Sequence, residues 1–99
     1  MSGGGRADVR VRANLWRGRE AVGGHLTVAG GKLSFRPHAL NVQTQLLGLP
    51  LSQVAAVRPY RTFKLVPNGL AITTAGGAEY RFAVSHRKQV MAAIEAHRP

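Results

Sequence analysis

Cysteine is absent from this 99-residue sequence, which excludes disulfides and thiolate metal sites and leaves the fold to rest on its apolar core. Acidic side chains are nearly as scarce, with Asp8, Glu20, Glu79 and Glu95 the full set. No two of them are close in sequence, so the paired carboxylates of general acid–base chemistry are not in view and the chain is expected not to be an enzyme. Long apolar runs are missing as well. Nothing approaches the ~18 apolar residues that a spanning helix needs, and the first positions hold no apolar core of a secretory leader. Ser2 stands where N-myristoylation requires Gly, and the C-terminus has no Cys for prenylation. The expectation is a cytoplasmic chain whose membrane contact, where it has one, is peripheral at the inner face.

Four histidines are present. His86 and His97 would lie about 16 Å apart along a helix axis and cannot share an ion, so no metal site and no cofactor is expected. Ser85 beside His86 is not a nucleophile–base pair, because neighbours at a helix start point apart.

Basic residues are abundant. Fourteen Lys and Arg against four acids give a formal charge of +10, so most cations cannot find an internal carboxylate and must face solvent or an anionic partner. GC-rich codon usage raises Ala, Gly and Arg together, and the charge by itself therefore selects no partner. Hydrophobic residues make up 44%, enough for one compact domain of this length.

Residues 1–5 read as a flexible, Gly-rich lead-in and residues 6–99 as the domain. Over residues 8–16, Val9, Val11, Ala13 and Leu15 alternate with Arg10, Arg12, Asn14 and Trp16, the pattern of a half-buried strand. A polar connection, Arg17-Gly18-Arg19-Glu20, follows. Residues 25–29 and 32–36 flank Gly30-Gly31 as a hairpin with Leu26 and Val28 facing Leu33 and Phe35. Residues 39–50 read as a loop with Leu46, Leu47, Leu49 and the following Leu51 as anchors. Residues 53–64 favour strand but contain Pro59, which calls for a bulge, an edge position or two short strands. Pro67-Asn68-Gly69 reads as a turn into residues 70–74, and Gly76-Gly77 as the turn into residues 79–84. Tyr80, Phe82 and Val84 then face Leu70 and Ile72. Ser85 reads as the N-cap of a final helix that buries Val90, Met91 and Ile94. These elements define a strand-rich α+β domain: a curved antiparallel sheet or partly open barrel of about seven strands, capped by one C-terminal helix.

Several stretches carry a family resemblance: Gly24-His25-Leu26-Thr27-Val28 leading to Leu33-Ser34-Phe35-Arg36-Pro37, then Leu51-Ser52-Gln53-Val54, Pro67-Asn68-Gly69-Leu70-Ala71-Ile72, and Tyr80-Arg81-Phe82-Ala83-Val84 followed by Arg87. Together they resemble the GRAM domain, a relative of the pleckstrin-homology fold. The resemblance covers about four-fifths of the chain and its motifs are structural, not catalytic. It implies a non-enzymatic module that binds membranes or phosphoinositides. In pleckstrin-like modules the loop between the first two strands often presents basic residues to a phosphorylated head group, and Arg17 and Arg19 occupy that stretch here.

Three groups of candidate anion ligands follow. The first is Arg17 and Arg19, whose planar donor forks suit phosphate. The second is Arg58, Arg61 and Lys64, interleaved with Tyr60 and Phe63 in a manner suited to an anionic interface. The weaker third is Arg87 and Lys88, which put positive charge on the already positive end of the helix dipole, a conflict that a bound anion would relieve. The expected partner is an anionic phospholipid. The alternatives are an acidic protein surface and, third, non-specific binding of nucleic acid, for which Trp16, Tyr60 and Phe63 are the only rings left to stack on bases.

Overall fold

The computed structural model describes residues 8–38, 47–62 and 65–97. Seven strands form one antiparallel sheet in the order β4-β3-β2-β1-β7-β6-β5, closed by a helix. They are β1 (Val9–Arg17), β2 (Glu20–Ala29), β3 (Lys32–Pro37), β4 (Leu47–Pro50), β5 (Val54–Thr62), β6 (Val66–Thr74), β7 (Glu79–Val84) and α1 (Arg87–His97).

The alternation in β1 does what it predicts, burying Val11, Ala13 and Leu15 and leaving Arg10, Arg12 and Asn14 exposed. β1 pairs with both β2 and β7, so the sheet curls around it into a half-barrel. In the β2–β3 hairpin Leu26 faces Phe35 and Val28 faces Leu33, as expected. Gly30 and Gly31 take φ of 60° and 75°, the left-handed region that a side chain resists. On the other limb Leu70 pairs with Phe82 and Ile72 with Tyr80. Phe35 and Phe82 meet across the core with ring centroids 5.8 Å apart. Val90, Ala93 and Ile94 seal this core from α1, with Met91 packed at its margin.

Four expectations are corrected. β2 begins at Glu20, five residues earlier than the sequence pattern indicates. Gly23 and Gly24, which interrupt that pattern, sit inside the strand, and a Cβ on Gly24 would fall 2.2 Å from the Arg36 carbonyl oxygen and 2.9 Å from the Phe35 ring. The glycine there permits a close approach of strands, not a turn. Part of the expected loop is likewise regular. Leu47–Pro50 is strand β4, which pairs with β3, while residues 39–46 and Leu46 among them lie outside the described residues, as does the lead-in at 1–5.

Pro67, Asn68 and Gly69 form no turn. They belong to β6, and the reversal occurs earlier, where the Leu65 N–H donates to the Thr62 carbonyl at 3.1 Å. Gly69 again marks a close approach, because a Cβ there would lie 2.6 Å from the ring and the carbonyl oxygen of Tyr60. Ser85 is not the N-cap. Its N–H extends the sheet by donating to the Arg12 carbonyl at 3.0 Å, and the chain turns instead at His86, whose φ is 54°. The His86 carbonyl accepts the first helical bonds, from Gln89 and Val90.

Pro59 lies on β5, which is an edge strand with register shifts at both ends. Edge and bulge occur together there. A single 3₁₀ turn, Leu51–Gln53, joins β4 to β5 and buries Leu51. Its flanks tie three connections together, with Leu51 N–H on the Gly31 carbonyl at 2.9 Å and Ala75 N–H on the Gln53 carbonyl at 2.8 Å.

Candidate anionic-surface site

The outward-facing positions of β1, β7, β6 and β5 assemble the site. Register places Arg81 opposite Ala71 and Ala71 opposite Arg58, and the Leu15–Phe82 pair sets Trp16 beside Arg81. Ala71 is small and lies beneath its neighbours, 2% exposed. One carboxylate serves two guanidiniums: Glu79 Oε2 accepts from Arg58 Nη2 at 3.5 Å, and Oε1 from Arg81 Nε at 3.3 Å. The trio keeps one net positive charge.

Tyr60 lies across the strand that Gly69 leaves bare. Its hydroxyl donates to the Phe82 carbonyl at 3.4 Å, and the Arg81 guanidinium sits 5.9 Å from its ring centroid, within range of a cation–π contact. Burial pushes the Tyr60 phenol above its ordinary value, the nearby Arg81 charge works against that, and Glu79 adds to it. The ring is thus held neutral and pinned at its hydroxyl. Thr62 anchors the end of β5 by donating to Asn68 Oδ1 at 2.5 Å.

Trp16, Gly18, Tyr60, Arg61, Thr62 and Arg81 line an open cleft of about 380 Å³. Of the sequence candidates Arg61 lines this cleft, while the first group meets it through Gly18, the glycine between Arg17 and Arg19. Gly18 and Arg19 make the two-residue β1–β2 turn, with Arg17 and Glu20 paired at its base, so Arg17 and Arg19 flank the glycine at the cleft wall. Arg61 lines the same cleft from β5. Arg58 is one step removed, engaged by Glu79. Lys64 and Phe63 lie outside the described residues.

The third candidate is different from its expectation. Arg87 Nη1 donates to the Tyr60 carbonyl at 2.9 Å and to the Gly69 carbonyl at 3.3 Å. The positive charge at the helix start is answered by main-chain oxygens of β5 and β6, and Arg87 ties α1 to the sheet. Lys88 is exposed on the first turn of α1.

One contributor escaped the sequence reading, Arg81, and Trp16 was noticed only as a ring that could stack on bases. The signal was present in the alternation itself, since the residues between the core positions of β1 and β7 are the outer face. Pairing of β1 with β7 was needed to join them. A further apolar feature borders the cleft. Leu65, in the β5–β6 turn, is 80% exposed, and Val66 beside it is 42% exposed. Val66 pairs with Thr62, a residue of the cleft wall.

Seven antiparallel strands in a half-barrel with one C-terminal helix define a pleckstrin-homology-like fold. The N-terminal PH domain of human ARAP2 is similar over 98% of this chain and 83% of its own, with a TM-score of 0.68 and 15% identity. The C-terminal domain of an unknown protein from Leishmania infantum superposes over 93% of this chain and 85% of its own, with a TM-score of 0.77 and 11% identity. No family model matches the chain. A stretch of 76 residues, 76% of this chain, is 34% identical to UDP-sugar-dependent glycosyltransferase 52 of Dictyostelium discoideum, of which it spans 4%. Among the described residues no helix is long and apolar enough to cross a membrane.

Proposed function

We propose that this chain is a GRAM-type binding module that docks peripherally on membranes containing anionic phospholipid. The observation that carries the reading is the juxtaposition of an exposed apolar turn, Leu65 and Val66, with a cationic and aromatic cleft. A solvent-facing Leu on a turn gains nothing in water, but beside Arg61 it can enter the acyl boundary while the guanidiniums stay with the phosphates. Trp16 and Tyr60 supply the amphipathic rings that favour the same boundary. The stretches that resemble the GRAM domain support the reading, and residues 6–99 are the domain it applies to.

The energies suit a reversible anchor. Arg17, Arg19, Arg61 and Arg81 near an anionic surface contribute about 1 kcal/mol each before screening, and insertion of Leu65 adds about 1–2 kcal/mol. Binding of this size is transient and salt-sensitive, because the screening length at physiological ionic strength is about 8 Å.

The test is co-sedimentation with neutral, phosphatidylserine and phosphoinositide vesicles at physiological salt, for the native chain and for Arg17→Ala/Arg19→Ala and Arg61→Gln variants. Binding to anionic vesicles that falls in the variants is the expected result. Equal recovery in the supernatant with all three vesicle types would overturn the proposal and direct attention to an acidic protein partner.

A further inference from the structure

The outer face of β1, β2 and β3 carries charge that the cleft does not use. Register sets Arg12 opposite His25 and His25 opposite Arg36 in one cross-strand row, and Arg10 opposite Thr27 and Thr27 opposite Ser34 in the next. Lys32 opens β3 opposite Ala29 and Pro50. Its side chain lies over Gly48, where a Cβ would fall 3.2 Å from the Lys32 Nζ. Arg10, Arg12, Lys32 and Arg36 are exposed, while His25, Thr27 and Ser34 are half-buried. The cations thus stand along β1 and β3, with two hydroxyls and an imidazole among them.

Among the described residues no ion pair engages any of these four cations. Desolvation, reinforced by Arg10, His38 and Arg12, holds the His25 imidazole below its ordinary value, so at neutral pH it adds hydrogen-bonding capacity to the face and not charge. Like charges brought together on a sheet are destabilising, and no outward residue within 10–14, 23–29 or 32–36 is a carboxylate to offset them. None is a large apolar residue either. Apart from Gly23 and Ala29, the outward positions are Arg, Lys, His, Asn, Ser and Thr.

We propose that this face binds double-stranded RNA, through the sugar–phosphate backbones on either side of the minor groove. Composition decides the class of partner. A protein interface is built around apolar and aromatic anchors, and a bilayer surface needs side chains that enter the acyl boundary. This face has neither. Arg, Lys, Ser, Thr and Asn are the side chains that hold phosphate and sugar oxygens. Single strands call for rings on which bases stack, but Trp16 and Tyr60 line the cleft, and the His25 and His38 rings meet each other edge to face with centroids 5.1 Å apart. Dimensions decide between the duplexes. From β1 to β3 the backbone alone spans about 10 Å. The minor groove of B-form DNA is only about 6 Å wide, and its major groove admits a helix or a two-stranded ribbon. The minor groove of A-form RNA is wide and shallow and displays 2′-hydroxyls between two rows of phosphates. Laid across it, β1 presents Arg10 and Arg12 to one row, β3 presents Lys32 and Arg36 to the other, and Thr27 and Ser34 meet the 2′-hydroxyls between them.

The test is fluorescence anisotropy of the full chain with a labelled RNA duplex of about 20 base pairs, repeated over a range of salt. Four phosphate contacts should give a log–log salt slope of about −3 to −4, a loss of about a hundredfold in affinity between about 50 and about 200 mM. Arg10→Gln/Arg12→Gln should reduce the slope by about two units, whereas Arg17→Gln/Arg19→Gln, an equal change in charge at the β1–β2 turn, should move it by less than about half a unit. Thr27→Val/Ser34→Ala should weaken RNA binding about fivefold or more at an unchanged slope. A DNA duplex of the same sequence and the single-stranded RNA should each bind about tenfold more weakly or worse. Absence of RNA binding, equal affinity for DNA or for the single strand, or an equal loss of slope in the turn variant would each overturn the proposal. So would competition by polyglutamate as effective, charge for charge, as unlabelled duplex, which would assign the face to an acidic protein. The inference does not rest on membrane docking. Vesicle binding that survives in Arg10→Gln/Arg12→Gln while RNA binding is lost supports two separate surfaces, and parallel loss of both would assign this face to the membrane and overturn the RNA proposal.

Discussion

Replacement of Leu65 by Ser isolates the apolar part of the docking proposal. Full burial of a Leu side chain is worth about 1.5–3 kcal/mol. Since Leu65 is 80% exposed, about 1.2–2.4 kcal/mol of that remains to be gained at a membrane, and its loss lowers vesicle partitioning about 8- to 60-fold. The folded chain should hardly notice, because exposed substitutions of this kind usually change stability by about 0.5 kcal/mol or less. Trp16 is the sole tryptophan of the chain and lines the cleft, so its emission reports binding without a label. A titration with phosphatidylserine vesicles should show a blue shift whose midpoint moves to higher lipid in the variant. Raising the salt should weaken both proteins while leaving their ratio nearly constant, because screening acts on the charges and not on the leucine. A ratio below about threefold, or one that collapses with salt, would refute apolar insertion by this turn.

Three further outcomes follow from the fold. Arg87→Ala removes the donor to the carbonyls of Tyr60 and Gly69 and should cost about 1–3 kcal/mol, seen as a drop of several degrees in Tm, with partial recovery in Arg87→Lys. Gly24→Ala drives a Cβ against the Arg36 carbonyl and should abolish cooperative unfolding or lower stability by more than about 3 kcal/mol in urea titration. The third concerns pH. His25 has a lowered folded-state value, so the unfolded chain binds more protons between that value and about 6.5. Stability of the ligand-free protein should therefore be full above about pH 6.5 and decline as the pH falls below it, and His25→Gln should flatten that decline in thermal melts.

Much of the fold was legible because its strands are half-buried. Val11, Ala13 and Leu15 announce a core face by period alone, and Gly30-Gly31 fixes the register that sets Leu26 against Phe35. Glycine misled the reading wherever it served another strand. Gly69 looks like a turn residue and Gly24 falls just outside the strand pattern, but the reason for each lies in a partner strand remote in sequence, Tyr60 for the first and Arg36 for the second. The candidate site was legible in pieces. Arg17, Arg19 and Arg61 stand out locally, whereas Arg81 joins them only through the β1–β7 pairing. The row of Arg12, His25 and Arg36 was invisible for the same reason, because no short segment contains more than one of them. Arg87 was noticed for its charge at a helix start, and only tertiary structure shows the carbonyls that answer it.

The proline in β5 has a consequence for crowding. A docked module is confined to two dimensions, where its concentration rises steeply and open sheet edges become templates for lateral polymerisation. Here one edge, β4, is four residues long and ends at Pro50, and the other, β5, is interrupted by Pro59 and by two register shifts. Neither offers an unbroken row of donors and acceptors to a neighbouring copy. Docked as proposed, such a domain would cover a membrane densely and remain a population of separate molecules.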